Sequence, residues 1–308
     1  MVGSRKPLPP NNHKVKRVCV VFKSVKNLVW AFDAEWIPDP PAGRLLYGLA
    51  QDVDDRSVMQ EMWRRNGATE ADPTPYLKTV MCRLVSIAVV QRQVHRDGRT
   101  LLRLLTLPKM DADKTADTSE RHIVETFLGA LGDRQPQLVG FNSLAADLRI
   151  LVQRGIIHGL HLPGFARRPN KPWEGVDYFF KGGESHVDLK DHAAPGWGSG
   201  TPSLHELAVL SGIPGKMDTH GHEVPQLWLE GRLEAIIAYN EFDALTTYLI
   251  WLRMACFVGL INLAQYELEQ KLVVDLIHLE AGGKPHLLKY LAEWDRLSGI
   301  CGRIGQAG

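Results

Sequence analysis

An α/β domain whose sheet opens with antiparallel strands is the fold class that the sequence predicts. Three observations carry it. Strand-like runs come first, strands and amphipathic helices then alternate, and helices alone close the chain. With 308 residues there is material for a sizeable core.

Taken in order, "VKRVCVVF" (15–22) and "NLVWAFDAEW" (27–36) read as an antiparallel pair of strands. "PDPPAGRLLYGLAQDVDD" (38–55) reads as a loop, and "RSVMQEMWRRNG" (56–67) as a helix stopped by Gly67. "TVMCRLVSIAVVQRQVH" and "RTLLRLLTL" are two strands joined by a turn at "RDG". "TSERHIVETFLGALGD" is an amphipathic helix opened by a Ser or Thr cap. "PQLVGFN" is a short buried strand running into the helix "SLAADLRILVQRGI", and "HVDLKD" is a further strand. "SLHELAVLSGI" is a helix. A long, largely buried helix follows over 229–259, with two more over 262–282 and 285–297.

Composition narrows the class. Hydrophobic residues make up 44% and charged residues 23%, with a net charge of +1, so a basic surface for a polyanion has to be local. No apolar run approaches the roughly 20 residues of a membrane span. Residues 1–17 carry five Lys/Arg and several prolines without an apolar h-region. They are expected to be a flexible basic tail and not a secretory signal. Cys19, Cys82, Cys256 and Cys301 lack CxxC spacing, which argues against a zinc ribbon or a disulfide framework and fits a reducing cytoplasm.

The chemistry starts at "LVWAFDAEWIPD". Residues two apart on a strand share a face, so Asp33 and Glu35 project side by side. Either the strand has ended and both are solvated, or they are held together by a shared proton, a cation or a divalent metal. Asn142 ends a strand and Asp147 lies in the first turns of the next helix, where α/β folds gather ligand groups. The alternatives are a cap for Asn142 and a dipole-favoured helix-start acid for Asp147. Tyr239 and Asp243 share a helix face amid apolar residues, where an Asp needs compensation. The alternative puts Asp243 on a polar side with Asn240 and Glu241. Four carboxylates meeting in one pocket suit a pair of divalent ions. Lys216 follows a Gly-containing turn that can meet a phosphate. Arg167, Arg168, Lys171 and Trp173 combine cations with an aromatic, as single-strand binders do. A solvated turn and an exposed basic loop are the respective alternatives.

The order Asp-x-Glu, Asn-x₄-Asp, Tyr-x₃-Asp resembles the DEDD superfamily of 3′–5′ exonucleases in its Tyr-containing branch. The resemblance is closest to the predicted exonucleases related to the proofreading domain of family-B DNA polymerases, and runs from about Val29 to about Trp294. It implies an RNase H-like mixed sheet flanked by helices, with a C-terminal helical extension, over 18–296 and a flexible tail over 297–308. It also implies two Mg²⁺ or Mn²⁺ ions. Asp33 would bridge them, Glu35 and Asp243 would complete the first site, and Asp147 would hold the second. Tyr239 would orient the attacking water with Glu35, and Asn142 would contact the terminal nucleotide or brace the site. Single-stranded DNA, or a frayed 3′ end, would be cut to 5′-mononucleotides; an RNA exonuclease of the same chemistry and a non-catalytic binding module are the alternatives. Two departures from the family pattern, Ala146 and Asn240, are expected to leave the metal ligands untouched. Asp188 in "HVDLKD" reads as a surface acid at a strand end, and the resemblance, which puts this strand near the site, implies a supporting role as the alternative.

Overall fold

The computed structural model describes residues 22–109, 117–171, 173–194, 198, 200–217 and 221–306. The basic tail expected over 1–17 lies outside the described residues. The chain orders its elements as β1 (Leu28–Pro38), α1 (Pro40–Tyr47), α2 (Asp55–Arg65), β2 (Cys82–Val94), β3 (Thr100–Leu107) and α3 (Glu120–Arg134). Then come β4 (Gln137–Gly140), α4 (Asp147–Ile157), α5 (Pro163–Ala166), β5 (His186–Asp188), α6 (Leu189–Ala193) and α7 (Leu204–Leu210). Helices α8 (Val224–Leu229), α9 (Leu233–Phe257), α10 (Leu263–Glu280) and α11 (His286–Gln306) close it.

One mixed sheet runs β3-β2-β1-β4-β5. The first three strands are antiparallel neighbours, and β4 and β5 add in parallel. This is the RNase H-like arrangement, a mixed sheet flanked by helices. Alternation along β1 sorts its side chains between two cores. Val29 and Ala31 face α9 and the C-terminal helices. Trp30, Phe32 and Ala34 face α2, α3 and α4. Asp33 and Glu35 continue the first set, so they point toward α9.

Several elements differ from the sequence reading for identifiable reasons. Among the described residues the antiparallel partner of β1 is β2; the strand expected over 15–22 lies, Phe22 apart, outside the described residues. The loop expected over 38–55 contains α1. Its prolines stand at the first helical positions, where no N–H partner is needed, and Gly48 closes it in the left-handed region. Gly43 lets α1 lie on α2, since a Cβ there would come within 2.7 Å of Val58 and Met62. Helix α4 starts at Asp147, four residues later than read, and "LKD" belongs to α6. The long helix starts at Leu233 behind Gly231, with α8 before it. Helix α11 runs to Gln306, past the boundary placed at 296.

A buried charge network ties the elements that carry the acids. Arg154 of α4 bonds Asp39, just past β1, at 2.9 Å, and also pairs with Glu120 of α3. Glu120 accepts as well from the Leu84 amide of β2 at 2.7 Å and lies 2.8 Å from His158. Glu120→Ala leaves a buried guanidinium with Asp39 alone. Urea unfolding is expected to show a loss of about 3–5 kcal/mol; a loss below about 1 kcal/mol contradicts this role.

Candidate active site

Past Ala31, no strand pairs with β1 on its β4 side among the described residues. Helix α4 ends its approach there, and the Ala34 amide donates to Asp147 Oδ1 at 3.2 Å. Asp147 is thus fastened to the backbone between Asp33 and Glu35. From the other face α9 brings Asp243. Ligand oxygens of Asp33, Glu35 and Asp243 all lie within 4.8 Å of one another. The four acids, with Asn142 and Tyr239, line one pocket of about 670 Å³. Asp243 is therefore not on a polar helix side. Its neighbours Asn240 and Glu241 are themselves fully buried.

The electrostatics follow from this crowding. Burial, then the charges of Asp243, Asp147 and Glu35, raise the Asp33 carboxyl well above its usual range. Glu35 is raised in the same way and shares a hydrogen bond with Asp33. Burial pushes Asp147 up to about 7 and Asp243 up to about 6. The Lys216 ammonium, exposed and outside the pocket lining, pulls Glu35 and Asp243 back down by its charge. Tyr239 donates its hydroxyl to Asp243; burial first, then the acids, raise its pKa far beyond the usual phenol range. It is a proton donor here and not a base.

Two residues carry more than the sequence reading gave them. Asp188 is no surface acid: it is buried, and its carboxylate accepts the backbone N–H groups of Asn142 (2.8 Å), Leu144 (3.0 Å) and Lys190 (3.1 Å). It shapes the β4–α4 turn, in which Asn142 takes a left-handed φ of 61°. That conformation, and not a side-chain cap, is what Asn142 supplies; its Oδ1 accepts from Lys190 Nζ at 3.3 Å. Asn240, read as remote from the ligands, donates from Nδ2 to Asp33 Oδ2 at 2.8 Å. Its i, i+3 spacing from Asp243 was the available signal. Around the rim stand Trp36, Trp63, Tyr76, Phe141, Arg149, Lys190 and His222. Arg167 and Arg168 do not line the pocket. Arg168 is held by Asp177 at 2.9 Å, in a segment that contacts the start of β4 through Tyr178 and Pro136. That is the end of the strand opposite Asn142.

The donor set fits hard divalent cations. It is all oxygen and strongly anionic. The offsets visible among the described residues are the Asn240 amide, the Tyr239 hydroxyl, the Lys216 ammonium and backbone N–H groups. The same residues contain no His/Cys cluster of that kind.

A mixed sheet whose central strand carries two acids midway along it, opposed by acids from two helices, is an RNase H-like fold with an all-oxygen acidic cluster. The chain belongs to the family of predicted 3′–5′ exonucleases related to the exonuclease domain of PolB, which matches residues 74–294. The match begins after Asp33 and Glu35, and the fold brings these two to the acids inside it. No curated protein matches the chain. Membership of a nuclease family means a nucleic-acid substrate and a chemistry that normally runs on divalent metals. No helix among the described residues is long and apolar enough to cross a membrane.

The raised carboxyl pKa values bear on stability. Between about pH 4 and about pH 7 Asp147 and Asp243 hold more protons in the folded chain than in the unfolded one, so their contribution to stability without metal falls as pH rises through that window, while the buried His186 and His192, whose pKa values are lowered, contribute in the opposite sense. The gain in melting temperature that Mg²⁺ or Mn²⁺ gives over EDTA is expected to be larger at about pH 8 than at about pH 5, because the acids must be ionised to hold the ions. A gain no larger at the higher pH contradicts the crowded-acid description.

Proposed function

We propose that the protein is a 3′–5′ exodeoxyribonuclease of the DEDD Tyr-containing type, removing 5′-mononucleotides from single-stranded DNA or frayed 3′ ends by a two-metal mechanism. The convergence of Asp33, Glu35, Asp147 and Asp243 on one pocket carries this reading. Asp33 would be shared by two Mg²⁺ or Mn²⁺ ions, with Glu35 and Asp243 on one and Asp147 on the other. Held by these carboxylates, such ions would neutralise the acids and supply an acidified water and stabilisation of the leaving oxygen.

The protein's own groups supply orientation. Tyr239, braced on Asp243 and packed against Ile37, Met59 and Val224, offers a fixed hydroxyl beside Glu35 with which to align water. Asn142 and Lys190 flank the acids where the terminal nucleotide would sit. Lys216 adds a cation toward the phosphate. Trp36, Trp63, Tyr76 and Phe141 give flat apolar faces, and Arg149 a positive charge. Unpaired bases stack on such faces while cations neutralise their backbone, which favours a single strand over a duplex. The absence of paired cysteine motifs supports a reducing, cytoplasmic setting.

The test uses 5′-labelled DNA, the matched RNA and a blunt duplex. With Mg²⁺ the single-stranded DNA should shorten one nucleotide at a time from its 3′ end, and EDTA should stop it. Asp33→Ala should remove activity by several orders of magnitude while the circular dichroism spectrum is kept. Intact DNA after incubation with folded wild-type protein and metal contradicts the proposal; preferential loss of RNA reassigns the substrate. Tyr239→Phe removes the hydroxyl and little packing. It should lower kcat by about 10²-fold or more with KM nearly unchanged. An equal effect on both, or none, marks the tyrosine as structural.

A further inference from the structure

A polar pair lies buried where α9 crosses β1 and β2. Asn240 and Ser86 are both 0% exposed, in an interface otherwise built from Ala31, Ala88, Ala244 and their apolar neighbours. Ser86 stands directly opposite Glu35 in the β1–β2 register, just before the irregularity at Glu35/Trp36. Its hydroxyl donates to Asn240 Oδ1 at 2.9 Å, and Asn240 Nδ2 donates to Asp33 Oδ2 at 2.8 Å. Burying a hydroxyl and an amide is unfavourable unless their bonds are made. Here the chain of bonds ends on one carboxylate oxygen.

The direction of the chain matters. With Oδ1 occupied by Ser86, the amide presents N–H and not C=O to Asp33. Reversed, it would set a carbonyl dipole against a carboxylate. The donated bond favours the charged form of Asp33 and restricts its rotation about the Cα–Cβ and Cβ–Cγ bonds. The Asp33 carboxylate interacts with Glu35, Asp147 and Asp243, so its rotamer bears on the spacing of the whole cluster.

We propose that Ser86 and Asn240 are positioning residues that hold the Asp33 carboxylate in its ion-binding orientation, Ser86 acting through Asn240. This rests on the proposed metal-dependent reading of the site. Neither residue touches the reacting atoms.

The experiment measures Mn²⁺ binding to the full-length protein by electron paramagnetic resonance, with oligonucleotide cleavage as a second readout. Asn240→Ala should weaken Mn²⁺ binding about 10- to 100-fold, in the range typical when a partner of a ligand is lost. It should raise the metal concentration for half-maximal cleavage in parallel and leave KM for DNA at saturating metal near wild type. Ser86→Ala should weaken binding less, by about 3-fold, the smaller loss expected when one of two linked bonds is removed. Asn240→Ala with Ser86→Ala should match Asn240→Ala alone, because the two residues act in series. Additive losses, or wild-type Mn²⁺ affinity in folded Asn240→Ala, overturn the inference. Should Asn240→Ala fail to fold, Ser86→Ala decides: unchanged Mn²⁺ affinity overturns the inference, and a loss supports it. If wild type itself neither binds Mn²⁺ nor cleaves, the metal-dependent reading fails first, and the pair's role fails with it.

Discussion

The mutual repulsion of buried carboxylates is the constraint around which the rest of this structure is arranged. Asp33, Glu35, Asp147 and Asp243 come from a strand and two helices far apart in sequence, and each is held where its charged form is disfavoured. Left to packing alone, such groups would separate or be replaced. The fold keeps them together with specific bonds: the Ala34 amide on Asp147, the Asn240 amide on Asp33, the Tyr239 hydroxyl on Asp243. A site that destabilises the chain locally while being braced this thoroughly is the pattern expected where function, not stability, selects the residues.

The scaffold explains how the bracing is possible. Strand β1 is central, paired along its length with β2 and only over Val29–Ala31 with β4, so its second half keeps one edge free for α4. Helix α9 crosses the other face as a long, almost wholly buried rod, which fixes Tyr239, Asn240 and Asp243 against the sheet. Arg154, Glu120 and Asp39 lock α4 to β1 and β2 from below. Asp188 does the same for the turn that precedes α4. Each device acts on the position of an acid, although Asp39, Glu120, Arg154 and Asp188 do not themselves line the pocket.

Much of this was legible in the sequence, because it depended on local periodicity and spacing. The strands from Leu28 to Gly140, the Ser119-capped helix, the buried helix bearing Tyr239 and Asp243, and the three acidic motifs all follow from period-two or period-3.6 patterns. Other features depended on contacts that no local pattern encodes. Helix α1 hid behind a proline pair that resembles a loop but suits a helix start. The delayed start of α4 follows from Asp188, more than forty residues downstream, claiming the amides of Asn142 and Leu144. Asn240 looked inert because its partner, Asp33, is 207 residues away in the chain. The basic stretch at Arg167 and Arg168 had a suitable composition, yet its segment contacts the far end of β4, and composition carries no information about which end of a sheet a loop reaches.

The most direct test of the account is anomalous diffraction at the manganese edge from crystals of the protein soaked in Mn²⁺ near neutral pH. The account predicts peaks among the carboxylates of Asp33, Glu35, Asp147 and Asp243, with Asp33 touching each. Peaks elsewhere with none at this pocket would contradict it.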